Sequence, residues 1–393
     1  MSLTPEIGLV GVGKLGICLA LSLEHRGFNV LCNDINISLL DSIKNKTLES
    51  TEPHINEMLY KSKNLLTTHN IYDIFSKNLI FILVATPSLP DGSYDHSAIE
   101  QIVSDIEKYY ITNTVNDKKY LVICSTVMPK YCDNLQERLS KYNIEVNYNP
   151  EFIAQGSIIR DMNNPDMVLI GERSKEAGDI IEHIYKTFVN NTPKICRVTP
   201  LEAEITKIAL NCFLTTKIAF ANCIGDLSKK VGADPTNVLS AIGSDSRIGN
   251  KYLRWGFGFG GPCFPRDNRA LNFFARNENI VNNIGEATDI SNKIHLDNLI
   301  NLIELNIPKA QNILFTSVSY KPESIILEES QQLQLAVALH NKGYNIYIKE
   351  REIIKHYISQ MYPNIAFNYL LENETVSNYI DINYIDINYY ISN

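Results

Sequence analysis

The chain has 393 residues, 45% of them hydrophobic and 20% charged, the composition of a globular protein long enough for two or three domains with substantial cores. A formal net charge of −8 argues against a general nucleic-acid surface, while a local basic pocket for phosphates stays compatible with it. The eight cysteines show no CxxC pair, no disulfide framework and no metal-ligand spacing, and the start MSLTPEIGLVGVG lacks the basic, apolar, small-residue order of a signal sequence. No uninterrupted apolar run reaches the roughly 18–20 residues of a membrane span, so a reduced, cytoplasmic protein without membrane partners is expected.

The first segment, IGLVGVGKLGICLALSLEHRGFNVLCNDIN, reads as a short apolar strand, a glycine turn, an apolar-periodic helix ending near Gly27 and a second strand ending at Asp34. Gly11, Gly13 and Gly16 fit GxGxxG: the first makes the turn, the second admits a pyrophosphate, the third lets helix and strand pack closely. With Val12, Lys14 and Leu15 they place a helix N-terminus against the phosphates. Asp34, about 20 residues beyond, suits ribose hydroxyls and repels a 2′-phosphate, which favours NAD over NADP. The alternative is a tight strand–helix turn without a ligand.

LIFILVATP and YLVICSTV are apolar runs suited to a parallel sheet covered on both faces. Ligands of such sheets bind at the carboxyl ends of the strands, which makes Thr86, Ser125 and Thr126 candidates for cofactor or water contacts. A third end, VNYNPEFIAQG, carries Glu151. VTPLEAEITKIALNCFLTTKIAFANCIGDLSKKVG opens with Thr199 as N-cap, Pro200 at the first helical position and Glu202 at the capping-box position, and closes at Gly232. Lys207 and Asn211 stand four apart on that long helix and share a face. GFGFGGPCFPRD, residues 256–267, then sets Cys263 among glycines and prolines that hold a loop in one shape, as a nucleophile requires; a small buried hydrophobe is the other reading.

In this order GVGKLG, VATP, STV, NPEFIAQGSIIRDMNNPDMVLIG, EAEITKIALN, SDSRIGNKYL and GFGFGGPCFPRD resemble the UDP-glucose/GDP-mannose dehydrogenase family, over roughly residues 6–350. The resemblance implies an α/β fold with an N-terminal Rossmann-type NAD domain over residues 1–198. A central long-helix segment for dimerisation and catalysis over 199–304 and a smaller, reduced nucleotide-sugar domain over 305–393 follow. It also implies oxidation of a sugar CH₂OH to a carboxylate with two NAD⁺ and a covalent cysteine, here Cys263. Lys207 and Asn211 would steady the alkoxide, Asp267 the proton network, Glu151 the hydrolytic base and Thr126 the water. Gln155 would lie near the nicotinamide. Phe152, Ile153, Tyr252, Phe259, Gly260 and Lys321 would line the nucleotide sugar, with Arg247 reaching it from a partner subunit of a homodimer joined through the long helix.

UDP-glucose is the favoured substrate, and GDP-mannose or a UDP-N-acetylhexosamine is the enzymatic alternative. A catalytically idle, NAD-binding paralogue is the reading from another class. Several positions depart from the family pattern. Gln155 stands for a glutamate and Arg266 for a lysine, Glu328 replaces an arginine, and Ile325-Ile326 replace an acidic pair. A negative Glu328 near a diphosphate would weaken sugar-nucleotide binding. After Glu350 the likeness fades, the family's further strands cannot be found, and NYIDINYIDINYYISN reads as an improvised edge strand or a biased tail.

Overall fold

The computed structural model describes residues 6–50, 52–113, 117–153, 156–281, 284–321, 324–370, 374 and 379–382. The chain divides into two compact units, Met1–Lys207 and Ile208–Asn393.

Among its described residues the first unit has eight strands: β1 (Ile7–Val10), β2 (Val30–Asn33), β3 (Leu65–Thr67), β4 (Leu79–Ile82), β5 (Lys119–Ile123), β6 (Ile144–Tyr148), β7 (Met167–Gly171) and β8 (Lys194–Val198). They lie in the order β3-β2-β1-β4-β5-β6-β7-β8. The first six repeat the dinucleotide-binding order 3-2-1-4-5-6. All neighbours run parallel except β6 and β7, which meet antiparallel at Tyr148 and Gly171. Every residue of IGLV in β1 and LIFI in β4 is buried, as expected where helices cover both faces. The strands are shorter than the apolar runs suggested. β4 stops at Ile82 and β5 at Ile123, so VATP and CSTV leave the ladder as loops, and β2 stops one residue short of Asp34.

The helix after the glycine turn runs Lys14–His25 and buries Ile17, Leu19, Leu21 and Leu23. The long helix spans Pro200–Lys230, and its start carries the expected reciprocal cap. Glu202 N–H donates to Thr199 Oγ1 at 3.3 Å and Thr199 N–H to Glu202 Oε2 at 2.8 Å. By length and composition this helix is apolar enough to cross a membrane, and half of its most apolar stretch is buried in the protein. Reading uninterrupted runs missed it because Asn211 and Lys217 break the run.

The second unit carries a four-stranded parallel sheet, β9 (Asn312–Phe315), β10 (Asn345–Lys349), β11 (Asn368–Leu370) and β12 (Tyr379–Asp381), ordered β11-β10-β9-β12. β11 corrects the expectation that the family's further strands are missing after Glu350, while β12, at the edge of the sheet, agrees with the edge-strand reading of the tail. A helix over Glu352–Met361 leads into β11, and part of the repetitive tail forms β12 on β9. Three-residue strands are too short to show an alternating period. The rest of the tail lies outside the described residues. The core includes Trp255, Phe257, Leu299, Phe315, Leu335 and Ile348.

Trp255, the chain's only tryptophan, packs closely against Gly225 of the long helix. A methyl group at position 225 would lie 2.1 Å from the indole Cδ1. Gly225→Ala is therefore expected to displace the indole and to cost about 1–3 kcal/mol, read by urea unfolding together with a shift in tryptophan emission. An unchanged spectrum and midpoint would show that the ring has room.

Candidate active site

The glycine turn between β1 and the first helix is shaped by sterics. Gly11 takes a φ of +93°, and a methyl at position 16 would sit 1.9 Å from Gly11 O, so helix and turn touch backbone to backbone. Among the described residues nothing lies within 4 Å of where a Gly13 side chain would begin. Gly13 and Lys14 are exposed, and the helix's first turn carries no acid. This is an open cradle of backbone N–H groups on a positive helix end, which suits a pyrophosphate. Asp34, just past β2, accepts Val12 N–H on Oδ2 and Asn36 N–H on Oδ1, both at 2.8 Å. Its carboxylate is thereby locked beside the turn.

The strand-end hydroxyls divide in role. Ser125 Oγ donates to Val84 O at 2.7 Å and accepts Val84 N–H at 2.9 Å, so it ties the ends of β4 and β5 together. Thr86 Oγ1 donates to Thr126 O at 2.7 Å and is buried. Thr126 itself is half-buried.

After β6, Asn149 is buried and donates through Nδ2 to Leu169 O at 2.9 Å, which fixes the base of the NPEF loop. Glu151 Oε1 lies 2.9 Å from the hydroxyl of Tyr185, which is also 2.8 Å from Asn149 Oδ1. Lys207 Nζ donates to Glu151 O at 2.5 Å and stands 4.6 Å from the centre of the Phe152 ring. Burial pushes the Glu151 carboxyl above the usual carboxylate range, against the opposing pull of the Tyr185 hydrogen bond and the Lys207 charge. Phe152 and Ile153 are half-buried, while Gln155 lies outside the described residues. Tyr185 and Asn149 were not singled out from sequence. Tyr185 sits on the Lys175–Phe188 helix among apolar residues at helical spacing, where a tyrosine reads as core.

In the second unit Cys263 is exposed at the N-cap of the Phe264–Asn277 helix, where the helix end favours negative charge on sulfur. Asp267, in the first turn, is 2% exposed. It accepts Asn211 Nδ2–H on Oδ2 at 2.6 Å, and Arg266 Nε lies 3.4 Å from its Oδ1. An amide nitrogen carries two hydrogens, so Asn211 can hold Asp267 and still offer one to a developing oxyanion.

The loop before the cysteine hangs on side-chain amides and a backbone carbonyl. Asn292 accepts Phe259 N–H at 3.0 Å and donates to Phe259 O at 2.9 Å, Gln331 Oε1 accepts Gly258 N–H, and Gly261 N–H donates to Glu328 O at 2.8 Å. Phe259 and Gly260 are buried in this arrangement. Tyr252, at a φ of +61°, stands edge-on to Phe264 with ring centres 6.4 Å apart. Lys321 is buried with Nζ 5.8 Å from the Tyr320 ring centre. Arg247 is exposed and pairs with Asp245, Nη2 to Oδ2 at 2.6 Å. The Glu328 side chain is exposed, whereas neighbouring Glu329 grips Arg269 through two bonds of 2.7 and 2.8 Å.

A cradle of backbone amides on a positive helix end, with a carboxylate at the next strand end, makes the first unit that of a dinucleotide-dependent enzyme. Comparison with known proteins carries the assignment further. The NAD-binding domain of the UDP-glucose/GDP-mannose dehydrogenase family matches residues 5–189, and the family's central domain matches residues 201–294. UDP-glucose 6-dehydrogenase of Rickettsia bellii is 31% identical over 348 residues, covering 86% of this chain and 79% of that protein. The UDP-glucose dehydrogenase structure from Pyrobaculum islandicum superposes with a TM-score of 0.83 at 26% identity, covering 94% of this chain and 86% of that one. A GDP-mannose dehydrogenase from Pseudomonas aeruginosa gives a TM-score of 0.57 at 28% identity, covering 94% and 88%. With motifs, sheet order and likeness in agreement, the chain belongs to the UDP-glucose/GDP-mannose dehydrogenase family, NAD-dependent oxidoreductases of nucleotide sugars.

A carboxylate at this strand end, as Asp34 is, would repel the extra phosphate of NADP. NADH formation should exceed NADPH formation by well over an order of magnitude, and Asp34→Asn should narrow the gap. Equal rates with both cofactors in the unmodified protein would refute this role for Asp34.

Proposed function

We propose that this protein oxidises the C6 hydroxymethyl group of a nucleotide sugar, UDP-glucose first among them, to the carboxylate, with Cys263 as the covalent centre. The observation that carries the reading is Cys263 itself, exposed at a helix start one turn from the buried, Asn211-bound Asp267. The likeness to the Rickettsia and Pyrobaculum proteins favours UDP-glucose. The likeness to the Pseudomonas protein supports GDP-mannose as the second substrate to test.

NAD⁺, held by the Gly11–Gly16 turn and Asp34, would accept the hydride in each of two oxidations. The residues of the chain manage protons and the carbon–sulfur bond. The alcohol first loses its hydroxyl proton and a hydride from carbon to become the aldehyde. Cys263 Sγ adds to the aldehyde carbon while the oxygen takes up a proton, giving a thiohemiacetal. Loss of that proton and a second hydride leaves a thioester. Glu151 removes a proton from water as its oxygen attacks the thioester carbon. The carbon–sulfur bond then breaks, and the sulfur regains its proton as the carboxylate departs. Lys207 and Asn211 supply donors to the oxygen that bears charge in each step. The exposed Phe213, Phe220 and Leu227, at intervals of seven residues along the long helix, support a homodimer joined through it.

Following NADH with UDP-glucose, GDP-mannose and UDP-N-acetylhexosamines tests the substrate, and no NADH with any of them would leave the idle, NAD-binding reading. Cys263→Ser is expected to abolish steady uronate formation while leaving NAD affinity unchanged, and undiminished turnover in that variant would remove Cys263 from the reaction. Glu151 acts as a base in its charged form, and burial raises its pKa. Turnover should therefore be low in acid and climb as pH rises past the ordinary carboxylate range. Glu151→Gln should flatten that limb and let a sugar–cysteine adduct accumulate in intact-mass spectra. A variant with normal turnover and no adduct would exclude Glu151.

A further inference from the structure

Gly256 opens the loop that carries Cys263, and both of its backbone groups are taken by side chains. Its N–H donates to Asn222 Oδ1 at 3.0 Å, and its carbonyl oxygen lies 2.6 Å from His295 Nε2. The other ring nitrogen of His295, Nδ1, is 2.9 Å from both carboxylate oxygens of Asp226. A carbonyl and a carboxylate can only accept. A neutral imidazole would therefore press a lone pair against one of them, whichever nitrogen bore its hydrogen, and only the imidazolium satisfies both sides.

The surroundings agree with an ion pair. His295 is 2% exposed. Asp226 also accepts Trp255 Nε1–H and Asn298 Nδ2–H, each at 2.8 Å, and a carboxylate with donors on both oxygens needs no proton of its own. A pair so buried persists where its remaining hydrogen bonds are made, and here they are.

The same helix, Ile284–Asn306, also presents Asn292, which holds Phe259 at both its N–H and its carbonyl. Glycines at 256, 258, 260 and 261 have no side chains to pack. Around the buried rings of Phe257 and Phe259 the glycine-rich backbone is held by these polar clamps.

We propose that His295, held as an imidazolium between Asp226 and the Gly256 carbonyl, is a positioning residue that sets the place of the Cys263 thiol. The catalytic part of this proposal rests on Cys263 being the covalent centre. The charge state and the effect on the thiol do not.

The test uses the full-length protein. In ¹⁵N-labelled protein at neutral pH, both His295 ring nitrogens, assigned by their loss in His295→Gln, should show the shifts of protonated imidazolium. One protonated and one bare nitrogen would overturn the proposal. His295→Gln cannot serve both acceptors, so it should change the rate at which iodoacetamide alkylates Cys263, read at that peptide by mass spectrometry and separately from exposed Cys223. It should also lower kcat by roughly tenfold to a hundredfold, the scale of an ångström of misplacement, with NAD affinity unchanged. Wild-type alkylation and kcat in a folded variant would overturn the positioning role, and if the variant does not fold, the ring nitrogens of the unmodified protein, assigned instead by through-bond correlation to the His295 backbone, decide. Should Cys263→Ser turn over normally, the covalent reading fails, and the alkylation rate still judges the clamp.

Discussion

A polar group taken out of water must find a partner inside the protein, and along the Pro200–Lys230 helix that constraint organises much of the rest. Glu204 accepts Lys130 N–H and Cys132 N–H, both at 2.7 Å, and so caps the Tyr131–Leu139 helix from outside. Lys207 ties down the carbonyl of Glu151. Farther along, Asn211 takes Asp267, Thr215 donates to Asn268 Oδ1 at 2.9 Å, Asn222 holds Gly256, and Asp226 gathers Trp255, His295 and Asn298. Removing one of these side chains would leave the opposing loop group buried and unpaired, which costs more than the bond itself is worth. Loops that would otherwise be loose are in this way set by a rigid element.

Electrostatics within each unit follow from the same burial. Desolvation lifts the carboxyl of Glu204 to about 7 against the hydrogen bonds from Cys132 and Lys130 that pull it down, with the Asp133 charge adding to the rise, and it lifts Glu151 too. These two acids do different things with the same perturbation. Glu204 spends both oxygens on backbone amides, so its carboxyl serves the fold. Glu151 keeps one oxygen on a tyrosine hydroxyl and lies in a loop, the arrangement of a group suited to exchange a proton.

Local rules made part of this legible in the sequence. The Thr199–Glu202 cap needs only residues three apart, and the Gly11–Gly16 contact needs only one turn of chain, so both could be read from spacing. The composition of the Cys263 loop showed that it was constrained. What constrains it did not show, because Asn222, Asn292 and Gln331 are ordinary polar residues until the fold brings them to that backbone. Tyr185 was hidden for the opposite reason: it sits in an apolar helical pattern and turns only its hydroxyl toward Glu151. Glu328 was read by its charge alone, whereas its backbone carbonyl also holds Gly261. In the second sheet β11 was missed because it has three residues and its identity lies in what it pairs with, whereas the tail that holds β12 was legible as an edge strand only as one of two readings.

That pairing has a consequence for how the second unit is made. β12 joins β9 in parallel, Tyr379 beside Asn312, so one edge of the sheet is completed by a segment that leaves the ribosome long after the strand it covers. Until then β9 presents an open edge of unpaired amides and carbonyls, the kind of surface that recruits foreign strands. The eight strands of the first unit have all been synthesised by Val198, and that unit can form as the chain emerges. The second must wait, and during that interval its half-built sheet is the part of the nascent chain open to foreign strands.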